Sequence, residues 1–347
     1  MTKRLIYDLS AEELKYYFQA NQQPSFRTKQ LLDGLYGRLY TDISQFATIP
    51  SALKAKLTDD FEINPLKLSR ELISKDKQTE KALFVLADGN KIESVLMHYD
   101  ERNSLCISTQ VGCPMDCIFC ATGQMGFKRN LSTGEILSQI IYTMRKLREQ
   151  GETLTNVVYM GMGEPFLNYD NVITSLHQLN NPDMLNFGAR RVTISTVGII
   201  PKIEKFTELD SQVNLAVSLH APTDEVRTTL VPANRLYPIK PLIDACRRYT
   251  DRTHRRLTFE YALIDSVNDS LEQADQLAYL LKGMLCHVNL IALNPSKEYP
   301  VNGSDKNQVL VFQEQLLRHG IQTTVRLRRG LEINAGCGQL ASDDDSQ

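Results

Sequence analysis

The chain has 347 residues, of which 42% are hydrophobic and 23% charged, and a formal net charge of -2. This length and composition exclude a single small scaffold and are typical of a globular protein with a sizeable apolar core. There is no run of about 18 apolar residues that would predict a membrane-spanning helix. Because Asp8 interrupts the start before an apolar segment develops, we expect no secretory signal and a cytoplasmic location.

Cysteines and basic residues are both clustered along the sequence. The chain contains seven cysteines, and in a reducing compartment an odd, clustered set indicates metal or catalytic thiols rather than a disulfide framework. The net charge argues against a uniformly basic nucleic-acid binder. Solvated faces are the more common explanation of such basic clusters, and phosphate contacts are the alternative.

The chain divides into four predicted segments. Residues 1–80 are predicted to form a small helical domain, because Ser10 and Glu13 form a capping box ahead of apolar helical periodicity. Residues 81–103 are predicted to form a β-hairpin linker around the turn at 88–90. Residues 104–340 form the predicted core, and the acidic segment 341–347 is predicted to be a disordered tail.

Short β-rich runs alternate with amphipathic helical patterns in the core, as in 131–149, which a capping box of Ser132 and Glu135 opens. Successive β-α units predict an α/β fold with a parallel sheet, here a partial (βα)6 barrel. In such barrels the chemistry lies at the carboxyl ends of the strands. The predicted strands are 105–111, 157–162, 191–197, 213–220, 257–264 and 288–293.

Three cysteines, Cys113, Cys117 and Cys120, lie within eight residues of one another after the first predicted core strand. Three thiolates can hold three corners of an iron-sulfur cube and leave one iron open to a substrate, whereas electron-transfer clusters use four cysteines. The alternative is a structural zinc site, which needs a fourth Cys or His. The next 50 residues offer none, so the spacing favours a cluster.

Polar and small residues follow several predicted strands. Gly163 and Glu164 come after an apolar strand, where a glycine lets the backbone approach a ligand and a carboxylate can accept hydrogen bonds from an ammonium or a ribose. A glycine-rich turn is weak evidence in isolation. Further candidates at the same rim are Ser195, Ser218, Leu219, His220 and Asn294.

Cys106 and Cys337 form another candidate pair. Cys106 lies on the first core strand, and Cys337 lies between two glycines, which favours an accessible, reactive thiol. Cys246 and Cys286 lie in apolar patterns, where a buried structural role is expected.

Six segments in this order resemble the RlmN/Cfr group of radical S-adenosylmethionine (SAM) rRNA methyltransferases. The resemblance runs from about residue 5 to residue 340. The segments are 106–113 with the cysteine triplet, 126–131, 160–165, 195–196, 217–221 and 335–340.

The resemblance implies a radical SAM barrel and a specific mechanism. Cys337 would first take a methyl group from one SAM, and a [4Fe-4S] cluster would reduce a second SAM to the 5'-deoxyadenosyl radical. That radical would abstract a hydrogen from the S-methyl group, so that the methylene carbon adds to adenine. Cys106 would then help to remove the ring proton and close a disulfide with Cys337, which releases the methylated base.

The resemblance also assigns cofactors, partners and residues. It implies one [4Fe-4S] cluster on Cys113, Cys117 and Cys120, and two SAM per turnover, with the strand-end residues contacting SAM. The partners would be 23S rRNA, tRNA, an electron donor such as flavodoxin or ferredoxin, and a thioredoxin-like reductant, with no membrane. Glu93 matches a proton-acceptor position, and its alternative is a polar residue alternating in a strand. Arg190, Arg191, Arg326, Arg328 and Arg329 are the candidate phosphate contacts.

Within the group, the expected target is C2 of adenine 2503 in 23S rRNA, and of adenine 37 in tRNA. The alternative is C8 of the same rRNA adenine, as in Cfr-type enzymes, but Pro165 matches the RlmN pattern. Residues 331–334, Leu-Glu-Ile-Asn, depart from the usual Asp-Ile-Asp stretch. A hypothesis of another class is an RNA-binding module with a structural metal site.

Overall fold

A computed structural model describes residues 3–295, 299–326 and 328–341. The predicted acidic tail therefore lies outside the described residues, apart from Ala341. The helices are α1 (Ala11–Ala20), α2 (Phe26–Leu32), α3 (Ser51–Asp60), α4 (Ala121–Gln124), α5 (Thr133–Glu149), α6 (Tyr169–Asn180), α7 (Ile200–Thr207), α8 (Asp224–Leu230), α9 (Ile239–Thr253), α10 (Leu271–Leu281) and α11 (Lys306–Arg318). In this part of the chain none of them is long and apolar enough to cross a membrane.

The strands are β1 (Arg4–Leu5), β2 (Phe61–Glu62), β3 (Lys67–Ile73), β4 (Thr79–Val85), β5 (Lys91–Tyr99), β6 (Arg102–Cys106), β7 (Gln110–Gly112), β8 (Phe127–Asn130), β9 (Asn156–Tyr159), β10 (Val192–Thr196), β11 (Asn214–Ser218), β12 (Leu257–Leu263), β13 (Cys286–Ala292) and β14 (Thr323–Val325). Ten of these strands form one sheet in the order β14-β13-β12-β11-β10-β9-β6-β5-β4-β3. Pairing is parallel from β14 to β6, and antiparallel from β6 to β3.

The parallel part of the sheet confirms the predicted partial barrel. The sheet is open, because the edge strands β3 and β14 are not neighbours in the strand order. All parallel strands present their carboxyl ends at one rim, which is where loops can bring polar groups together. The described residues add a seventh parallel strand, β14, that the sequence did not predict.

Five predicted core strands match β9 to β13, but the first one is split. Only its start lies in β6, whereas Gln110–Gly112 forms β7, which pairs with β8 in a separate two-stranded sheet. The backbone leaves the large sheet at Ser108, whose N–H donates to the side-chain oxygen of Gln139 on α5 at 2.9 Å. This turn directs the chain that follows, with its cysteines, over the rim.

Both capping boxes that the sequence predicted are present. The Ser132 hydroxyl accepts from the Glu135 N–H at 3.2 Å, and the Glu135 carboxylate accepts from the Ser132 N–H at 2.9 Å. Ser10 and Glu13 make the same pair of bonds at the start of α1. Each box satisfies donors that the first turn of a helix leaves without partners.

The helical prediction for residues 1–80 is wrong for its last part. Lys67–Ile73 forms β3, and the predicted hairpin linker is β4 and β5 of the same large sheet. β3 is an edge strand with mostly exposed or half-buried residues, so its hydrophobic pattern is weak. Tertiary pairing with β4 decides its conformation.

The N-terminal helical region packs on the core through polar and apolar contacts. Asp8 accepts a hydrogen bond from the Gly134 N–H at 2.6 Å, which places a carboxylate at the N-terminus of α5. Tyr36 donates to the side chain of Gln178 on α6 at 3.3 Å, in a buried position. Arg145 of α5 donates to the Leu39 carbonyl at 3.2 Å.

Candidate active site

A chamber lies at the carboxyl ends of the parallel strands, and Cys113, Cys117 and Cys120 form part of its wall. Burial raises the pKa of Cys113 to about 12 and that of Cys117 well above its ordinary value, and neighbouring thiols add to both shifts. Cys113 and Cys117 are buried and Cys120 is half-buried, and all three border the same chamber. This donor set fits an iron-sulfur cluster with one open iron.

Gly163 lines the chamber in a conformation that only glycine adopts readily. Its φ is +99°, and a Cβ atom there would lie 2.5 Å from the Cβ of Gln110. The same segment is held in place by Gln110, whose side-chain oxygen accepts from the Glu164 N–H at 2.8 Å. The turn after β9 therefore packs directly against the loop that leads to Cys113.

Glu164 is buried at the chamber wall with both carboxylate oxygens engaged. One accepts from the Val197 N–H at 2.8 Å and the other from the Phe166 N–H at 2.9 Å. Burial raises the pKa of Glu164 to about 7, although these backbone donors oppose the shift. An ammonium group in the chamber would therefore find a carboxylate already oriented for it.

Ser195 and Ser218 lie near the carboxyl ends of the neighbouring strands β10 and β11 and line the chamber. Their hydroxyl oxygens are 3.4 Å apart. His220 lies beside them, and its Nδ1 accepts from the Ala262 N–H at 3.0 Å. Burial lowers the pKa of His220 to about 3, with Arg227 adding to the shift. The imidazole is therefore neutral, with its proton on Nε2.

Leu219 does not line the chamber, contrary to the sequence prediction. Its side chain is fully buried in the apolar core. β11 ends at Ser218, so Leu219 and His220 belong to the loop that follows, in which His220 has a φ of +60°. Leu219 contributes its backbone, with its N–H donating to the Glu260 carbonyl at 3.0 Å.

Asn294 lies where the chamber meets the C-terminal loop, as the sequence predicted. Its side-chain oxygen is buried and has no hydrogen-bond partner among the described residues. A buried acceptor without a partner costs free energy unless a ligand or water supplies a donor. This atom gives the chamber an acceptor for a polar ligand, which is consistent with a nucleoside or amino-acid moiety such as those of SAM.

Arg227 is a residue at this site that sequence reasoning missed. Its side chain is fully buried, and its guanidinium donates to the carbonyls of Ser218 at 3.2 Å and Leu219 at 3.1 Å. Burial lowers its pKa to about 10. Its position on α8, among charged residues that look like a solvated face, gave no signal of this role.

A second chamber adjoins the first and contains the Cys106 thiol. Cys337, Asn294 and Arg326 line both chambers, so their side chains form the common wall. Burial raises the pKa of Cys106 to about 12, the Cys337 thiol adds to this, and Arg326 opposes it. The structure thus brings together the two cysteines that are 231 positions apart in sequence.

The Cys337 loop is docked on the segment that carries the cysteine triplet. The Ala121 N–H donates to the Gly338 carbonyl at 2.7 Å, and the Thr122 hydroxyl donates to the Leu340 carbonyl at 2.6 Å. A Cβ at Gly336 would lie 2.4 Å from the side-chain nitrogen of Asn294, so a larger residue there would displace the Asn294 amide. Cys337 itself is exposed.

Comparison with known proteins identifies the family. Residues 107–278 match the Radical SAM superfamily, and residues 5–63 match the ribosomal RNA large subunit methyltransferase N-terminal domain. The chain is 45% identical over 339 residues to a "Probable dual-specificity RNA methyltransferase RlmN" of Geobacillus thermodenitrificans, with 98% of this chain and 93% of that protein covered. The chain belongs to the RlmN family.

Two further proteins are similar to this chain over almost their whole length. A protein of the same description from Clostridium tetani is 45% identical, over 96% of this chain and 95% of its own length. The crystal structure of a radical SAM methyltransferase from Sphaerobacter thermophilus is 46% identical, with a TM-score of 0.96, and covers 98% of this chain and 100% of that one. Membership of the radical SAM superfamily implies a [4Fe-4S] cluster and SAM, which the two chambers fit.

Glu93 lines neither chamber of this RlmN-family fold. Its side chain is buried on β5, with one oxygen 2.9 Å from the Lys81 ammonium and the other accepting from the Ala341 N–H at 3.1 Å. The predicted role as a proton acceptor therefore gains no support from its position.

The predicted phosphate contacts separate into two groups. Arg190 and Arg191 precede β10, so they lie at the amino ends of the parallel strands, away from the chambers. Arg326, Arg328 and Arg329 line the second chamber. The neighbouring Cys337 thiol and Glu260 raise the pKa of Arg326, and the sequence did not single out Glu260.

Proposed function

We propose that this chain methylates C2 of adenine 2503 in 23S rRNA and of adenine 37 in tRNA, with Cys337 as the methyl carrier. The observation that carries the proposal is that Cys337 lines both chambers while Cys106 lies in the second. The relatives' description as dual-specificity RNA methyltransferases supports two RNA substrates. These substrates would place the enzyme in the cytoplasm.

C2 of adenine is electron-poor, so it does not attack the methyl group of SAM directly. A cluster on Cys113, Cys117 and Cys120, with SAM on its open iron, would supply both the methyl group and the one-electron chemistry. Glu164 and Asn294 would orient SAM through the acceptor oxygens that border the first chamber. An external electron donor, such as flavodoxin or ferredoxin, would reduce the cluster.

Cys337 and Cys106 would act one after the other, Cys337 in forming the bond to the adenine and Cys106 in releasing the product. The Cys337 sulfur receives the methyl group, and that carbon becomes bonded to the adenine ring, which gives a thioether between protein and RNA. Cys106 would help to remove the ring proton while the adduct returns one electron to the cluster, and it would then attack the Cys337 sulfur. The S–C bond would break with its electron pair on the carbon, which takes up a proton to become the methyl group, and the two sulfurs would form a disulfide as the base leaves. A thioredoxin-like dithiol returns two electrons and restores both thiols.

The rim of the second chamber is suited to RNA. Arg328 is exposed there, and Arg329 lies 4.3 Å from the ring centre of Tyr99, which also lines this chamber. Guanidinium groups bind phosphate, and planar side chains stack on unpaired bases. The N-terminal helical region would supply further contacts to the RNA.

Pro165 favours C2 over C8 of the adenine as the methylated position, because this residue matches the RlmN pattern. Pro165 begins a short 3-10 helix, Pro165–Asn168, directly at the wall of the first chamber. The RlmN-family relatives support the same choice. The alternative of an RNA-binding module with a structural metal is set aside, because the chain is a radical SAM family member.

The test is to express the chain in a bacterium that lacks its own enzyme and to analyse nucleosides from purified 23S rRNA and tRNA. We expect 2-methyladenosine in both RNAs, and none with the Cys337→Ala control. Recovery of 8-methyladenosine as the main product would overturn the C2 assignment. Modification of rRNA alone would overturn the tRNA part.

A further inference from the structure

Lys81 and Glu93 form a buried ion pair on the antiparallel strands. Their side chains are 8% and 3% exposed, and the ammonium and the carboxylate oxygen are 2.9 Å apart. Lys81 pairs with Val95 in the strand register, so Glu93 is its diagonal neighbour across β4 and β5. No role in the proposed chemistry uses Lys81, which borders neither chamber.

The second oxygen of Glu93 reaches a different part of the chain. It accepts the backbone N–H of Ala341 at 3.1 Å, four residues after Cys337. The carboxylate therefore ties the end of the Cys337 loop to the antiparallel sheet. The beginning of the loop is tied to the same sheet region, because the Glu332 carboxylate accepts from the Lys75 N–H at 2.9 Å.

The bond to Ala341 depends on the ammonium. A buried carboxylate that loses its charged partner is left uncompensated, and it must recruit water or reorient. A recruited water would compete with the Ala341 N–H for the carboxylate oxygen, and a reoriented carboxylate would move that oxygen away from the N–H. Lys81 thus acts on the loop through Glu93, without touching the loop.

We propose that Lys81 is a positioning residue: with Glu93 it forms a latch that holds the Cys337 loop at the wall shared by the two chambers. The purpose of the latch rests on the proposed function, in which the Cys337 thiol on this loop carries the methyl carbon from the first chamber to the second. The contacts that form the latch lie within the chain itself and do not require a bound substrate. It also explains why both oxygens of Glu93 are engaged away from the chambers.

The test compares full-length, cluster-loaded Lys81→Met with Lys81→Arg and with Lys146→Met. Lys146 is a matched control, because it pairs with Glu71 on β3 and Glu80 on β4, in the same antiparallel part of the sheet, without touching the Cys337 loop. Hydrogen-deuterium exchange of the peptide spanning 331–341 reports loop opening directly. Iron content shows whether the cluster is retained.

We expect Lys81→Met to speed exchange in 331–341 about tenfold, the size expected when a hydrogen bond to a charged group is lost. Lys81→Arg should restore slow exchange, and Lys146→Met should leave this peptide unchanged. Wild-type exchange in Lys81→Met, or equal acceleration by Lys146→Met, would overturn the latch. If Lys81→Met fails to fold, Glu93→Gln, which keeps the side-chain shape, decides by the same readout.

The latch and the proposed function fail separately. Faster exchange in Lys81→Met in an enzyme that makes no 2-methyladenosine would keep the latch and refute the methylation. Normal exchange in Lys81→Met, in an enzyme that makes 2-methyladenosine and needs Cys337 to do so, would refute the latch alone.

Discussion

Arg227 on α8 donates a hydrogen bond to the carbonyl oxygen of Val197, at 2.5 Å, just beyond the end of β10. The same guanidinium binds carbonyls at the end of β11, so one side chain joins two neighbouring strand ends beneath the first chamber. Val197 is also the residue whose N–H binds Glu164. Arg227 therefore fixes the backbone that carries Glu164 and the other polar groups of the first chamber.

The first prediction follows from this network. Arg227→Met should lower the free energy of unfolding by about 3 kcal/mol, because several buried carbonyls lose their donor together. Urea denaturation of the purified variant measures this loss. Arg248→Met is the control, since the Arg248–Glu204 ion pair is exposed and should contribute less than about 1 kcal/mol. Equal losses in the two variants would contradict the role of Arg227.

The second prediction concerns the cluster. Replacing Cys113, Cys117 and Cys120 together by Ala should abolish SAM cleavage and the absorbance of an anaerobically reconstituted protein near 400 nm. The control is Cys286→Ala, because Cys286 is buried and lines neither chamber. Retention of about four irons per chain by the triple variant would show that the ligands lie elsewhere.

The third prediction separates the roles proposed for Cys337 and Cys106. Cys337→Ala removes the proposed methyl carrier, so it should give neither product nor adduct. Cys106→Ala should stall after the carbon–carbon bond has formed, with RNA attached to Cys337. Denaturing gels and mass spectrometry before and after RNase treatment detect that attachment. A Cys106→Ala protein with normal iron content and no bound RNA would exclude the thioether intermediate.

The fourth prediction uses the pKa of Cys106, which burial raises to about 12 and Arg326 holds lower than it would otherwise be. Arg326→Gln removes the positive charge, so the pKa should rise further and the thiolate fraction should fall. Below the pKa, that fraction falls tenfold for each unit by which the pKa rises. Alkylation of Cys106, followed by peptide mass spectrometry between pH 8 and 9.5, should therefore be slower at every pH. Arg328→Gln, which alters an exposed side chain, is the control, and faster labelling in Arg326→Gln would contradict the prediction.

The sequence predicted the features that depend on local pattern. The capping boxes at Ser10 and Ser132 are present as expected, and the strands β9 to β13 form where β-rich runs indicated. The cysteine triplet lies at the strand-end rim, because its position after the first core strand fixes it there. Local signals suffice where one element determines the position of a residue.

Features that depend on distant packing were not predicted. β14 has only three residues, and β3 is too polar to show a strand pattern, so pairing partners decide both. Arg227 and Lys81 look like ordinary surface charges in the sequence, and their burial depends on carbonyl and carboxylate groups from other elements. The side chain of Leu219 packs into the apolar core directly after β11 ends, and that orientation depends on the surrounding elements.

The packing of the N-terminal helices on the core limits how the chain can be divided. A truncated chain that began after residue 63 would leave the Gly134 N–H and the Gln178 side chain without the partners that Asp8 and Tyr36 provide. It would also expose the apolar surface that Ile6 and Leu35 now cover. Residue 63, where the match to the N-terminal domain family ends, is therefore not a boundary between two independently stable domains. An enzyme shortened there should aggregate before its chemistry can be measured.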